Sequence, residues 1–367
     1  MTRRLVLLLA SLLLVADCGE RSPIAIGFLG GLSGHAADLG NSGLNGVRLA
    51  VEAQNRKGGI NGHPIALVPM DDKQDPDTAR AAFAKLAESH VAAVVGPMTS
   101  SIAVAVKPLA DQLHLLLVSP TVTTRELSGI DDYFIRVIAD TRIYANAAAR
   151  FHVEKRHIKT FAVLYDVENR AYSDSWSEDF REAVEARGAK LLTKVAFRPS
   201  DTVAYPSQVK QVLASGAEAI LFLGSSVDAA LMAQQIRVLD DKVRIITSEW
   251  AATERLASFG GAAVDGLFTA QFFDRDSQLP DYQEFRKEFL RRFEQEPGFG
   301  GIAGHDAAVL LISALRQKRR EESVKDAILR IADFKGLQSP IHIDRFGDSI
   351  RPTYITVIQN GRFVPAD

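Results

Sequence analysis

Residues 91–127 read VAAVVGPMTSSIAVAVKPLADQLHLLLVSPTVTTREL. Two apolar runs, 91–95 and 115–118, each stop abruptly at small and hydroxyl-bearing residues. Gly96-Pro97-Met98-Thr99-Ser100-Ser101 follows the first, and Ser119-Pro120-Thr121-Val122-Thr123-Thr124 the second. Apolar runs of this length, bounded by turn residues, predict strands buried on both faces of a parallel sheet. A helical pattern starts at Ile102. The first N–H groups of a helix lack intrahelical partners and carry the positive end of its dipole. A Gly-Pro turn with Ser and Thr at the helix start is therefore suited to a small anion. The same hydroxyls could instead cap their own helices. Two such loops in succession favour a ligand wall.

Outward from this stretch, strand and helix alternate. A strand over 24–29 precedes the turn Gly30-Gly31-Leu32-Ser33-Gly34. A helix then carries Leu44, Val47 and Val51 on one face and stops at Gly58-Gly59. A strand over 65–70, the turn at Asp71-Asp72 and a helix with Ala79, Ala82, Phe83, Leu86 and Ala87 on one face come next. Residues 134–137 predict a fifth strand or a crossing. From about 138–141 the series restarts, with strands over 161–165, 191–197, 219–223, 243–247 and 267–272. A helix over 142–151 precedes the first of them, and helices over 174–187, 206–214 and 227–238 separate the first four. Three helices (281–293, 305–315, 323–331) and a hairpin-like tail at 354–357 with the turn Asn360-Gly361 complete the chain. The expected fold class is α/β, with two doubly wound Rossmann-like lobes.

The 367 residues are 47% hydrophobic and 24% charged with a net charge of −2, a globular composition long enough for two domains. The strongest basic cluster, Lys318-Arg319-Arg320, runs straight into Glu321-Glu322 and reads as a solvated helix end, so nucleic acid is not an expected partner. Arg3-Arg4 precede an apolar run over 5–15, which is short for a membrane span and the right length for a signal peptide. Val15-Ala16-Asp17-Cys18 resembles the lipobox of bacterial lipoproteins, with Asp17 where that motif has Gly, Ala or Ser. Residues 1–18 are expected to be a signal peptide ending at Cys18, whose acylation would give a lipid anchor on the membrane. Periplasm or cell surface is the expected location. Cys18 is the only cysteine, so no disulfide can form within the chain.

Nothing in the chain favours an enzyme. G-x-S-x-G, G-x-x-x-x-G-K-[ST] and a G-x-G-x-x-G after the first strand are all missing from the sequence. His152 and His157 are spaced as a metal pair could be but read as surface residues. His305-Asp306 read as the opening of a helix, in a capping role. No catalytic residue, metal or cofactor is expected.

In doubly wound sheets ligands bind beyond the carboxyl ends of the strands. Loops there carry Ser33, Ser100, Thr121 and Thr123 in the first half. In the second half they carry residues 166–172, Ser225-Ser226 and Thr247-Ser248-Glu249-Trp250. Glu249, directly after an apolar strand, would point across the crevice at the hydroxyl wall. Hydroxyls and helix N–H groups facing a carboxylate suit a zwitterion.

These features together resemble the type I periplasmic solute-binding proteins, in particular the leucine/isoleucine/valine-binding family of ABC importers. The resemblance runs from Pro23 to Pro365. It rests on Lys57-Gly58-Gly59-Ile60-Asn61-Gly62, Asp71-Asp72 with Asp75-Pro76, Val94-Val95-Gly96-Pro97 with Ser100-Ser101, Ser119-Pro120 with Thr123, and Asn360-Gly361-Arg362-Phe363. It implies two lobes joined by three crossovers near Ile138, Gln271 and Gly336, with 22–138 and 272–336 in lobe 1 and 139–271 and 337–367 in lobe 2. It further implies that Ser100 and Thr123 hold an α-carboxylate, and that the Thr121 carbonyl and Glu249 hold an ammonium. Tyr172 falls near the cleft tyrosine of the second lobe, beside Arg170-Ala171, which look like an insertion. Ser226 and Leu39 stand at side-chain pocket positions that are often aromatic. Gln74 and Thr99 stand where the family has its disulfide cysteines. The implied function is an extracytoplasmic solute-binding component that closes on an α-amino acid, branched-chain or other aliphatic, and delivers it to a membrane permease. An amide, urea or aromatic-acid binder, or a sensor, is the alternative on the same fold.

Overall fold

The computed structural model describes residues 21–34, 37–199 and 205–366; the apolar leader and Cys18 lie outside them. The first series runs β1 (Ile24–Gly30), α1 (Ala37–Arg56), β2 (Ile65–Asp71), α2 (Pro76–Glu88), β3 (Val94–Val95), α3 (Ser100–Leu113), β4 (Leu117–Ser119) and β5 (Phe134–Arg136). Its strands form a parallel sheet in the order β2-β1-β3-β4-β5. Successive residues of a strand enter opposite apolar layers: Phe28 and Val95 on one face, Leu29 and Val94 on the other. Covered on both faces, these strands have no polar alternation, which is why their sequence is continuously apolar.

The second series begins with α4 (Thr141–Ala149), which runs on through a π-helical turn at Arg150–Lys155. It continues β6 (Thr160–Asp166), α5 (Arg170–Glu185), β7 (Lys190–Phe197), α6 (Tyr205–Leu213), β8 (Ala219–Leu223), α7 (Ser226–Leu239), β9 (Arg244–Thr247), α8 (Glu254–Gly260) and β10 (Phe268–Gln271). Then come α9 (Pro280–Phe293), α10 (Gly298–Gln317), α11 (Val324–Ile331), β11 (Asp333–Lys335), β12 (Pro340–Ile343), β13 (Ser349–Ile350), β14 (Tyr354–Gln359) and β15 (Arg362–Pro365). The second sheet has the order β15-β14-β10-β9-β8-β6-β7. The strands β6 to β10 are parallel, and the hairpin β14–β15 adds antiparallel to β10. Asn360 and Gly361 both take left-handed backbone angles at its tip, which a two-residue hairpin turn requires. The fold is thus α/β, with two doubly wound lobes.

Helices α1 and α10 pack backbone to backbone. A Cβ at Gly46 would run into the carbonyl oxygen of Gly301, and one at Gly304 into that of Gly43. This close approach brings Leu39 at the start of α1 beside Gly300 and its neighbour Phe299 at the start of α10. Helix α10 is long and apolar enough to cross a membrane, but it is largely buried inside the first lobe.

Several expectations shift. The last passage between lobes was expected near Gly336, yet the chain stays with the first lobe through Ile350. Leu337 N–H donates to Asp306 of α10, the Arg136 N–H of β5 donates to the Gly347 carbonyl, and the Arg136 side chain pairs with Asp348. The return occurs between β13 and β14, and the small antiparallel sheet β11-β12-β13 was not foreseen because its strands are too short to show a period. Helix α10 starts seven residues before His305, so His305-Asp306 cap nothing. Asp306 is instead buried in an ion pair with Arg351, 2.6 Å from its Nη1, which holds its pKa below the usual carboxylate value against the opposing effect of burial. His152 is buried rather than on the surface, edge-on to Phe151 and Phe268, and burial pushes its pKa down to about 3.

Candidate functional site

The carboxyl ends of the two sheets face each other across a cleft. On the first-lobe side, the Gly96-Pro97 turn leads from β3 into α3, with Gly96 at a φ of 124° and its α-carbon against the Leu29 carbonyl. Thr99 precedes α3 without capping it through its side chain. Its Oγ1 donates to Gln74 Oε1 (3.1 Å), whose Nε2 donates to Asp72 Oδ1 (3.0 Å). The two positions expected for disulfide cysteines are therefore neighbours, joined here by a hydrogen bond. Ser119 Oγ donates to the Pro97 carbonyl (2.9 Å) and accepts from Val122 N (3.2 Å). Thr121 Oγ1 donates to the Met98 carbonyl, and Ser100 Oγ accepts from Thr124 N (3.3 Å). The hydroxyl wall is knitted to its own backbone by these bonds.

On the second-lobe side, β9 ends at Thr247 and the chain turns through Ser248 into a 3-10 turn at Glu249–Ala251. Glu249 is 1% exposed. Its Oε2 accepts from Trp176 Nε1 of α5 at 3.0 Å, and its Oε1 lies 3.4 Å from the donating Thr123 Oγ1 of the first lobe. Burial pushes its pKa up to about 7, opposed by these hydrogen bonds and by a backbone N–H. The hydroxyls of Tyr172 and Tyr144 and Ser248 Oγ are buried nearby without a well-formed partner. Burial raises the pKa of both tyrosines well above its ordinary value, so they act only as neutral donors and acceptors.

The lobes touch directly. Asn169 Oδ1 accepts from Ser101 N at the start of α3 (3.0 Å), and Ala171 N donates back to Ser101 Oγ (3.2 Å). Thr124 and Ser175 hydroxyls meet at 2.8 Å, and Arg125 pairs with Asp179 at 2.8 Å. At the other edge Ser226 Oγ donates to Asp38 Oδ2 (2.9 Å), joined by Thr253 Oγ1 at 3.5 Å. This is a closed cleft. It encloses a cavity of about 10 Å³, the room of roughly one water. The first lobe lines it with Leu39, Met98, Thr99, Ser100, Thr121 and Phe299, the second with Asn169, Tyr172, Glu249 and Trp250.

Ser100, Thr121, Leu39, Tyr172 and Glu249 thus meet at one cavity, with Thr123 against Glu249. Ser226 does not line it; at the start of α7 it bridges the lobes through Asp38. Tyr172 comes from the first turn of α5, which begins at Arg170 and not at Asp174. Sequence reasoning marked the loops that hold Asn169 and Met98 without singling out either residue, and it missed Trp176, Phe299 and Asp38. Only Trp176 had a usable signal: it is four residues after Tyr172 and so on the same helix face. Among the described residues no group of His, Cys, Asp and Glu is placed to hold a metal ion.

The sequence pattern of the periplasmic binding proteins matches residues 23–362. The chain belongs to that family. A Leu/Ile/Val-binding protein of Rhizobium johnstonii is 26% identical over 249 residues, 67% of each chain. A leucine-, isoleucine-, valine-, threonine- and alanine-binding protein of Pseudomonas aeruginosa is 22% identical over 329 residues, 89% of this chain and 87% of the other. The crystal structure of a leucine-binding protein from Thermotoga maritima superposes with a TM-score of 0.85 at 24% identity, covering 94% of this chain and 98% of that one. A solute-binding protein from R. palustris in complex with benzoate superposes with a TM-score of 0.86 at 18% identity, covering 94% and 95%. At these identities the structural likenesses establish the fold.

Proposed function

We propose that this periplasmic binding protein is the extracytoplasmic solute-binding component of an ABC importer, taking an α-amino acid, aliphatic ones favoured, between its lobes. The observation that carries the reading is Glu249, a buried carboxylate at the carboxyl end of β9 set against the hydroxyl wall of the other lobe. In this reading Glu249 and the Thr121 carbonyl take the ammonium, and Ser100, Thr123 and the start of α3 take the carboxylate. Tyr172 and Leu39 border the side chain, and Ser226 closes the mouth through Asp38. The names of the relatives in Rhizobium and Pseudomonas point the same way.

Hydrogen bonds to charged groups contribute about 1.5–3 kcal/mol each, and micromolar affinity needs about 8 kcal/mol, so four or five such contacts suffice. The small cavity means that the ligand enters an opened cleft and its contacts with both lobes then shift the open–closed equilibrium. The closed form is what a membrane permease would recognise. The chain acts as a carrier and not as an enzyme, directed to the periplasm or cell surface by residues 1–18 and held to the membrane by a lipid on Cys18.

A second reading follows from the raised pKa of Glu249. Protonated, it donates a hydrogen bond and suits a carboxylate without an ammonium, as in an aromatic acid; the benzoate-bound relative shares the fold. Titration calorimetry of residues 19–367 against α-amino acids and benzoate-type acids at pH 6 and pH 8 decides between them. An amino acid that binds more tightly at pH 8 supports the first reading. Binding confined to aromatic acids, stronger at pH 6, replaces it with the second.

A further inference from the structure

The indole of Trp176 occupies one side of the Glu249 carboxylate and cannot leave it easily. Trp176 is 0% exposed, its ring is tilted against Phe180 at 5.7 Å, and Phe180 stands edge-on to Phe161 at 5.2 Å. A buried indole N–H needs an acceptor, and the acceptor here is Glu249 Oε2 at 3.0 Å. The other oxygen has a long contact with Thr123, 3.4 Å away in the opposite lobe, while a backbone N–H and the Tyr172 hydroxyl of its own lobe also act on the carboxylate. Opening the cleft removes the Thr123 contact and leaves the indole bond, because Trp176 and Glu249 belong to the same lobe.

We propose that Trp176 is the positioning residue of this site: it fixes the Glu249 carboxylate so that a single oxygen, Oε1, is offered to the ligand's cation. The proposal rests on the amino-acid reading for the identity of that cation. A charge-assisted hydrogen bond from a group that is already in place also supports the ionised carboxylate before a ligand arrives. The other groups facing Glu249 are Thr123 and the hydroxyls of Tyr172 and Tyr144. Arg136, Arg351 and Asp140 also act on Tyr144. No cation is in contact with the carboxylate among the described residues, so a backbone N–H, the indole N–H and the hydroxyls carry this support.

The test is Trp176→Phe, which keeps an aromatic ring and removes the N–H. Amino-acid affinity at pH 8 is expected to fall at least about tenfold, the equivalent of one hydrogen bond to a charged group. The pH at which binding is half lost is expected to move up by about one unit, since the ionised form loses a donor. A side chain that only fills space would leave that midpoint in place; unchanged affinity and midpoint in a folded variant overturn the proposal. A second measurement needs neither ligand nor that variant. The protein has two tryptophans, so in Trp250→Phe the emission of Trp176 is read alone. It is expected to titrate near neutral pH and to become flat when Glu249→Gln is added; emission that does not titrate, or titrates regardless of Glu249, overturns the proposal. Should no amino acid bind the native protein while this titration stands, the amino-acid reading fails and the role of Trp176 survives it.

Discussion

The two walls of the cleft are built on opposite terms. In the first lobe, the hydroxyls of Ser119 and Thr121 already donate to the Pro97 and Met98 carbonyls, and Ser100 Oγ accepts from Thr124 N. In the second lobe, the hydroxyls of Tyr172 and Ser248 are buried without a well-formed partner, beside a carboxylate that burial makes reluctant to ionise. One wall is satisfied by its own backbone and therefore rigid in its shape. The other keeps hydrogen-bonding capacity in reserve, which costs stability in the empty protein and, in the function proposed above, is what a ligand would use. Substitutions of Ser119 and Thr121 should therefore act mainly on stability, and those of Glu249 and Tyr172 mainly on affinity.

The largest effect tests the second wall. Glu249→Gln is expected to weaken amino-acid binding by about two orders of magnitude or more, as removal of one member of a buried charge pair costs about 2–5 kcal/mol. Calorimetry on the folded variant measures it, and near-native affinity would place recognition elsewhere.

Next is the pH dependence of the empty protein. Burial raises Glu249 and Asp166 to about 7 and Asp72 to about 6. The folded state then binds protons more tightly than the unfolded chain, so these groups make stability fall as pH rises from about 4.5 to 7. The thermal midpoint without ligand should be higher at pH 5.5 than at pH 7.5, and Glu249→Gln should reduce that difference. Buried His152, with its pKa lowered to about 3, acts in the opposite direction up to about pH 6.5. A midpoint that rises with pH over this range in a variant with His152→Gln would therefore show that the three acids are better solvated than their burial implies.

A smaller pair of effects sharpens the contrast between the walls. Thr121→Val removes the bond to the Met98 carbonyl and should lower stability by about 1 kcal/mol in denaturant unfolding. Tyr172→Phe removes a hydroxyl that has no well-formed partner, so its stability should stay within about 0.5 kcal/mol of native while affinity drops. If Tyr172→Phe proved the more destabilising of the two, the division of labour between the walls would not hold. The smallest effect belongs to Ser226→Ala, which loses the bridge to Asp38 at the mouth. Ser226 is buried, but Asp38 is half-buried and water can replace the lost hydroxyl there, which predicts a change of about 0.5 kcal/mol in binding, visible as faster ligand release.

The strands of the first sheet were legible because each is buried on both faces, so its apolar run needs no partner to be recognised. Glu249 was legible for the same reason, as an acid at the end of such a run, and the Gln74–Thr99 contact followed from the family resemblance. The start of α10 was hidden because Gly298, Gly300, Gly301 and Gly304 form a glycine-rich stretch unfavourable to a helix, while in the fold Gly300, Gly301 and Gly304 permit its contact with α1. The short strands β11 to β13 carry no period, so the third passage between lobes was set too early.

What the sequence determined by itself was the alternation of buried strands and helices, the two lobes, and the chemistry of the loops at their ends, since burial periodicity and turn residues are local properties. Which of those groups still have hydrogen bonds to give was decided only by the tertiary structure. Trp176 reaches Glu249 across 73 positions, Asn169 reaches the start of α3 across 68, and Asp38 meets Ser226 across 188. Whether a buried polar group is satisfied depends on partners brought from far along the chain, and no local pattern records them.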